Sequence, residues 1–320
     1  MAALSERAEG VFIISATPFH EDGRLDLPSM TRLIEAYLAA GVHGMTILGV
    51  MGEANKLAGD EALTVARHVL GQVAGRVPVV VGVSAPGLDP MRALAHEVMA
   101  AGAAGVMLAP PPPLPTDERY EAYVHGALEA LGPDVPVVLQ DYPALTGVHM
   151  SVPVFLRLVE QCPQIKVLKH EDWPGLRKLT RVRKQSAEAG LRRVAILVGN
   201  SALFYPLELG RGADGAMTGF AFPEMLVEVY RLFASARMEA AHDLYDAYLP
   251  LVRYEQQPGI GLAIRKEILR RRGLITSART RAPGAALDDA DHDDLSRLLL
   301  RLERRLKELG HAMPASGSGT

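Results

Sequence analysis

The feature that most constrains this chain is alternation: short β-branched runs are followed by longer amphipathic stretches, at intervals of roughly 20–35 residues. Eight such runs stand at residues 11–16, 44–48, 77–83, 105–108, 135–139, 165–169, 194–198 and 215–218. Between them lie helical patterns such as residues 30–40 and 120–131. Asp89-Pro90 and Thr116-Asp117-Glu118 read as helix starts, because short polar side chains cap leading N–H groups and proline fits a first turn. A strand–helix unit repeated eight times within about 230 residues predicts an α/β fold of one kind, the closed (β/α)8 or TIM barrel. No glycine-rich phosphate or dinucleotide fingerprint follows the first strand, which argues against an open doubly wound sheet. After Phe222 the strand signal stops, and three helical patterns follow at residues 238–252, 260–271 and 289–309. The expected organisation is a barrel over residues 1–235 carrying the active site, a C-terminal helical domain over 236–311, and a flexible tail over 312–320 that ends in the linker-like run from Ser316 to Thr320.

Composition narrows the function classes. Lys and Arg (34) nearly balance Asp and Glu (37), and no basic stripe is interleaved with aromatics, so a nucleic-acid surface is not expected. The single cysteine, Cys162, excludes an internal disulfide and a thiolate-rich metal site, and scattered His and Met residues give no ligand spacing, so no metal site is expected. Glu6, Arg7 and Glu9 precede any apolar run, unlike a secretory leader, and the longest uncharged stretch, residues 98–116, is broken by glycines and by Pro110 to Pro113. The expectation is a cytoplasmic protein with no membrane partner.

In a barrel of this kind the active site lies where the strands end. Residues past those ends include Thr17, Pro18 and Phe19; residues 49–53 (Gly49, Val50, Met51, Gly52, Glu53); Gln140, Asp141, Tyr142 and Pro143; Lys169, His170, Glu171 and Asp172; Asn200; and Thr218. Period-two alternation puts Ile165, Val167 and Lys169 on one face, so Lys169 should point inward into a poorly hydrated place. Desolvation favours a neutral amine, which attacks a ketone to form a Schiff base. The alternative is a surface lysine paired with Glu171 or Asp172.

These motifs, in this order, resemble the dihydrodipicolinate synthase and N-acetylneuraminate lyase family of Schiff-base lyases from about Val11 to about Leu309. The resemblance implies a barrel with a C-terminal helical domain, a homo-oligomer (dimer or tetramer), no cofactor, and a small 2-oxo acid such as pyruvate as substrate. Thr17-Pro18-Phe19 with Asp22-Gly23 looks like the family's opening motif, residues 49–53 like its carboxylate-cradling Gly-x-x-Gly-Glu turn, and Lys169 falls on the imine-forming lysine. Gly212 to Gly215 with Pro223 looks like the last barrel strand. The departures are informative. Val50 and Met51 stand where the family carries two hydroxyl residues, Gln140 where it carries a catalytic tyrosine, Pro111 or Pro112 at a second relay tyrosine, and Leu145 where the synthase proper has a carboxylate-binding arginine. Gln140-Asp141-x-Pro143 and Lys169-x-Glu171 are similar to the branch of 2-keto-3-deoxy sugar-acid dehydratases, although the turn at residues 49–52 differs from that branch.

The expected roles follow. Lys169 forms the imine. Glu171, two residues on, shares its face and serves as acid or base, or else pairs with the helix start at Pro174. Gln140 orients substrate or water, and Tyr142 swings a phenol to the same mouth or packs. Thr17, Gly49, Val50, Met51, Gly52, Asn200 and Thr218 bind substrate, while Glu53 accepts backbone hydrogen bonds that hold the turn. Asp141 and His170 point away from the interior as structural residues. Arg265, Lys266 and Arg270 to Arg272 read as a solvated face or subunit contact. The leading expectation is a lyase that dehydrates or cleaves a 3-deoxy-2-oxo or 4-hydroxy-2-oxo acid through a Lys169 imine. Its apolar mouth (Val50, Met51, Leu145, the proline loop) favours a less polar 2-oxo acid. A catalytically silent barrel that binds a 2-oxo acid as a sensor or assembly subunit and a genuine 4-hydroxy-tetrahydrodipicolinate synthase are the competing readings, the latter disfavoured by Leu145.

Overall fold

A computed structural model describes residues 3–314, so the run from Ser316 to Thr320 lies outside the described residues. Each apolar run folds as a strand: β1 (Gly10–Ile14), β2 (Gly44–Ile47), β3 (Val79–Gly82), β4 (Gly105–Leu108), β5 (Val137–Asp141), β6 (Ile165–His170), β7 (Ala195–Val198) and β8 (Gly215–Thr218). They are parallel, hydrogen-bonded in chain order, and close where Gly10 pairs with Gly215. The expected TIM barrel is therefore what the chain forms.

Between strands run α1 (Leu27–Ala39), α2 (Gly59–Val73), α3 (Leu88–Ala100), α4 (Asp117–Leu131), α5 (Pro143–Thr146), α6 (Val152–Gln161), α7 (Gly175–Glu188), α8 (Tyr205–Leu209) and α9 (Pro223–Ala234). Local chemistry sets their starts. Asp26 caps α1 by accepting from the Ser29 N–H at 3.0 Å, and Ser151 caps α6 in the same way. Three further helices follow: α10 (Met238–Glu255), α11 (Gly261–Arg271) and α12 (Asp289–Glu308), the last closed by a reciprocal Asp288–Asp291 capping box. α10 packs on α9, α11 and α12.

Strand alternation sorts the core into two layers. Phe12, Ile14, Val80, Met107, Val138, Val167, Leu197 and Met217 fill the barrel interior, while Val11, Ile13, Val81, Leu139 and Leu168 pack outward against the helices. One expectation fails here. Ile165 belongs to the outer layer, not to the face of Lys169, because Val137 pairs with Ile165 while the next residue, Val138, pairs with Val167. Lys166 is thus an extra residue, a β-bulge that resets the alternation so that Val167 and Lys169 face inward.

The C-terminal helical region packs closely against the barrel. Most of α11 is buried, with Arg265 1% and Lys266 0% exposed and Arg272 buried after it, so these three do not form the expected solvated face, whereas Arg270 stays exposed and Arg271 partly so. The chain beyond it returns across the mouth: the Thr276 hydroxyl meets Asp26 at 2.5 Å, and the Arg281 N–H donates to Glu53 at 2.8 Å.

Candidate active site

Lys169 and Gln140 are direct partners across β5 and β6, both pointing into the barrel near its C-terminal end. The ladder continues one step past β6, where the Glu171 N–H donates to the Asp141 carbonyl at 2.9 Å, so the period of two carries Glu171 to the same face. Glu171 does not reach the α7 start at Pro174. Its Oε2 lies 3.2 Å from the Lys169 Nζ and accepts from Gln140 Nε2 at 2.7 Å, while its Oε1 accepts the Asn200 N–H at 3.2 Å. Lys169 is 3% exposed. A Cβ at Gly199 would fall 2.2 Å from Glu171 Oε1, so the end of β7 must be glycine for this carboxylate to lie where it does.

Asn200, Ser201 and Ala202 then take three consecutive left-handed conformations, with φ of 51°, 53° and 59°. Such a turn costs roughly 1–2 kcal/mol per residue outside glycine, and its neighbours hold it. Asn200 Nδ2 donates to the Glu171 carbonyl at 3.0 Å, and the Tyr245 hydroxyl on α10 contacts the Ala202 and Leu203 carbonyls at 2.9 and 2.6 Å. Asn200 is both a turn residue and a wall of the site.

The opposite face of the same strand end carries a second lysine–acid cluster. Lys178 Nζ sits 2.7 Å from Asp141 Oδ2 and 2.9 Å from Asp172 Oδ2, and donates to the Met150 carbonyl at 2.5 Å. His170 Nδ1 lies 3.6 Å from Asp141 and its Nε2 is 2.9 Å from the Gly175 carbonyl. Burial opposes a charged His170, but bonding to Asp141 and that residue's charge lift it above the ordinary histidine range. Asp141 and His170 are thus outward, structural residues, as expected.

The turn after β2 is arranged differently from the expectation. The Thr17 hydroxyl donates to the Gly52 carbonyl at 2.7 Å, which uses its one proton to brace the turn. Glu53 takes its bonds not from the turn but from Lys266 Nζ at 2.5 Å, Lys56 Nζ at 3.1 Å and the Arg281 N–H, tying the turn to α11 and the returning chain. Burial lowers the Lys266 ammonium to about 8, against the pull of Glu53.

Around Lys169 lies a small, partly open cavity of about 60 Å³. Lys169, Glu171, Gln140, Tyr142, Val50, Met51, Asn200 and Thr218 all line it, so the structure brings together eight of the residues singled out from sequence. Thr17, Gly49 and Gly52 do not line it; Gly49 instead lines an adjoining outer chamber of about 410 Å³, shared at Val50 and Gln140 and walled by Met107, Pro110 to Pro112 and Leu145. Burial raises the Tyr142 phenol above its ordinary value, with Glu171 adding to the shift and Arg265 opposing it. Ile14, Ser201, Gly219, Gln256 and Arg265 also line the inner cavity. Gly219 stands at the end of the eighth apolar run in the sequence, whereas Ile14, Ser201, Gln256 and Arg265 carried no signal that separated them from packing. Among the described residues no group of three or more His, Cys, Asp or Glu side chains is arranged to hold a metal ion. No helix among them is long and apolar enough to cross a membrane.

This arrangement offers a buried primary amine, a carboxylate within hydrogen-bond reach of it, and an amide that fixes the carboxylate: a nucleophile with an adjacent acid–base group. Comparison with known proteins agrees in kind. Residues 7–302 match the dihydrodipicolinate synthetase family. The chain is 32% identical over 312 residues to the L-2-keto-3-deoxyarabonate dehydratase of Azospirillum brasilense, covering 95% of this chain and 96% of that one. It is 28% identical over 303 residues to the 4-hydroxy-tetrahydrodipicolinate synthase of Sorangium cellulosum, covering 92% and 96%. The crystal structure of the dihydrodipicolinate synthase from Rhodopseudomonas palustris superposes with a TM-score of 0.92 at 48% identity, covering 94% of this chain and all (100%) of that one.

Proposed function

The chain belongs to the dihydrodipicolinate synthetase family and is a lyase of the class I aldolase type, and from that premise we propose that it dehydrates a 3-deoxy-2-oxo acid through an imine on Lys169. The single observation that carries this reading is the Lys169–Glu171–Gln140 cluster inside the barrel mouth. The Lys169 amine attacks the C2 ketone and water leaves, giving an iminium that acidifies the C3 proton. Glu171 takes that proton, the enamine electrons expel the C4 hydroxyl, and the proton now on Glu171 goes to the departing oxygen as water. Hydrolysis of the conjugated iminium then frees Lys169.

Gln140 cannot exchange protons at neutral pH, and its amide donates to Glu171 at 2.7 Å, so its part is to aim the carboxylate. The similarity to a sugar-acid dehydratase over nearly the whole chain supports dehydration over carbon–carbon cleavage. The apolar outer chamber, with Leu145 54% exposed at its rim, supports a substrate whose far end is less polar than a long sugar acid. By family analogy, we propose that the protein works as a homo-oligomer.

The test is to incubate the protein with pyruvate and with a panel of 3-deoxy-2-oxo acids, reduce with borohydride, and map the adduct by peptide mass. Labelling at Lys169 together with release of a dehydrated product supports the reading. Labelling followed by an aldehyde fragment would replace dehydration by cleavage. The synthase reading, favoured by the likeness to the Rhodopseudomonas palustris protein, gains if pyruvate and aspartate semialdehyde condense.

A further inference from the structure

Among the described residues, Arg265 is the one cation lining the Lys169 cavity that the scheme above does not use. It reaches the cavity from α11, and its guanidinium is fixed on two of its three nitrogens. Nε donates to Glu255 Oε1 at 2.5 Å, and Nη2 donates to the Gly219 carbonyl at 2.7 Å with Ser201 Oγ at 3.4 Å. Nη1 is buried and has no hydrogen-bond partner. A buried guanidinium N–H left unpaired costs more than an ordinary orphan donor, so its retention points to an acceptor that arrives with a ligand. The end of β8 is shaped for it, since a Cβ at Gly219 would stand 1.9 Å from Nη1.

We propose that Arg265 is a substrate-binding residue whose Nη1 holds the carboxylate of the 2-oxo acid that condenses with Lys169, an inference that rests on the imine reading given above. Carbon 1 of any 2-oxo acid is bonded to the carbon that joins Nζ, so its carboxylate must lie in the inner cavity, as must the C4 hydroxyl that Glu171 protonates, whereas the substituents beyond C4 extend towards the outer chamber. Arg265 lines the inner cavity and not the outer one. The turn side chains there, Val50 and Met51, supply no polar donor, and Glu171, already holding three partners, would repel a second carboxylate unless a cation offset it. A guanidinium paired behind by Glu255, with Nη1 buried and unpaired at the cavity wall, is suited to that task.

Two variants separate this role from packing. Arg265→Lys keeps a cation beside Glu255 but lacks the planar fork that reaches Glu255, Gly219 and the cavity together. Gly219→Ala alters no polar group and displaces Nη1. Each is measured, once its thermal melt shows a folded protein, for the pyruvate concentration that half-saturates borohydride labelling of Lys169 and for pyruvate affinity by calorimetry. The unaltered protein is also titrated with pyruvamide, which has the ketone without the anion. We expect both variants to need about tenfold to a hundredfold more pyruvate, and the unaltered protein to prefer pyruvate to pyruvamide by a similar factor. Unchanged half-saturation in a folded variant, even with weakened binding of longer acids, or equal binding of pyruvate and pyruvamide, overturns the assignment while leaving the imine standing. Calorimetric pyruvate binding that depends on Arg265 without any labelling of Lys169 does the reverse: it upholds the carboxylate site and removes the lyase scheme. A folded protein that binds no pyruvate at all ends both.

Discussion

The barrel wall at the ends of β5 and β6 has the same chemistry on its two sides, put to different ends. Inward, Lys169 has Glu171 at 3.2 Å and a cavity in front of it; outward, Lys178 has Asp141 and Asp172 at 2.7 and 2.9 Å and the Met150 carbonyl besides. A lysine whose donors are all engaged stabilises the strand end and can do little else. A lysine that shares one carboxylate and faces open space can exchange that contact for a substrate carbon. The comparison teaches that burial and an acidic neighbour are common to both lysines, and that they differ in the saturation of their donors, which leaves only Lys169 an amine that could react.

The largest expected effect tests the inner half. Lys169→Ala should abolish borohydride labelling and lower turnover at least about 10⁴-fold, while denaturant unfolding shows a folded protein; residual labelling at another lysine would move the chemistry elsewhere. Glu171→Gln should still be labelled, because the amine remains, yet lose roughly 10²–10⁴-fold in turnover. A loss under tenfold would strip Glu171 of the proton-transfer role and leave it as a strut. On the outer half, Lys178→Met leaves Asp141 buried without its cation, so unfolding free energy should drop by about 3–5 kcal/mol, with the Lys169 label still forming in the protein that stays folded. If stability holds and labelling fails, the two faces are not separate in function.

The smallest effect lies behind the outer cluster, at Glu208 on α8. Its Oε2 is buried without a hydrogen-bond partner, and burial pushes the carboxyl up to about 7, with His170 pulling the other way and Glu171 adding to the rise. Between the ordinary value of 4.5 and about 7 the folded chain keeps a proton that the unfolded chain has lost, so stability falls as pH rises through that window. Glu208→Gln should therefore match the unaltered protein at pH 4.5 and exceed it above pH 7, by no more than about 3 kcal/mol. Melting curves across that range check it, and a gap already present at pH 4.5 would mean that the glutamine acts through packing.

Much of this was legible in the chain. All eight strands lie where β-branched runs stand, and the C-terminal helices α10 to α12 start within a residue or two of their amphipathic patterns, because both signals come from side-chain periodicity that neighbours in sequence already fix. The placement of Lys169, Gln140 and Tyr142 around one cavity was legible too, because they stand at strand ends, which a barrel gathers at one mouth. The bulge at Lys166 was not, since it exists only in the pairing of β6 with β5. Nor was the task of Thr17, whose hydroxyl meets a carbonyl 35 residues away.

By itself, then, the sequence determined the barrel and the lysine at its mouth, since period-two and helical patterns commit each segment before any long-range contact forms. Only the tertiary structure decided which charges are used. Arg265 and Lys266 sit side by side on one helix in a run of basic residues that reads as solvated, yet one enters the imine cavity across a glycine from β8 and the other braces Glu53 across 213 positions. Whether a cation meets water, a carboxylate or an open cavity depends on what the fold packs against it, and that information is not carried by the residues beside it.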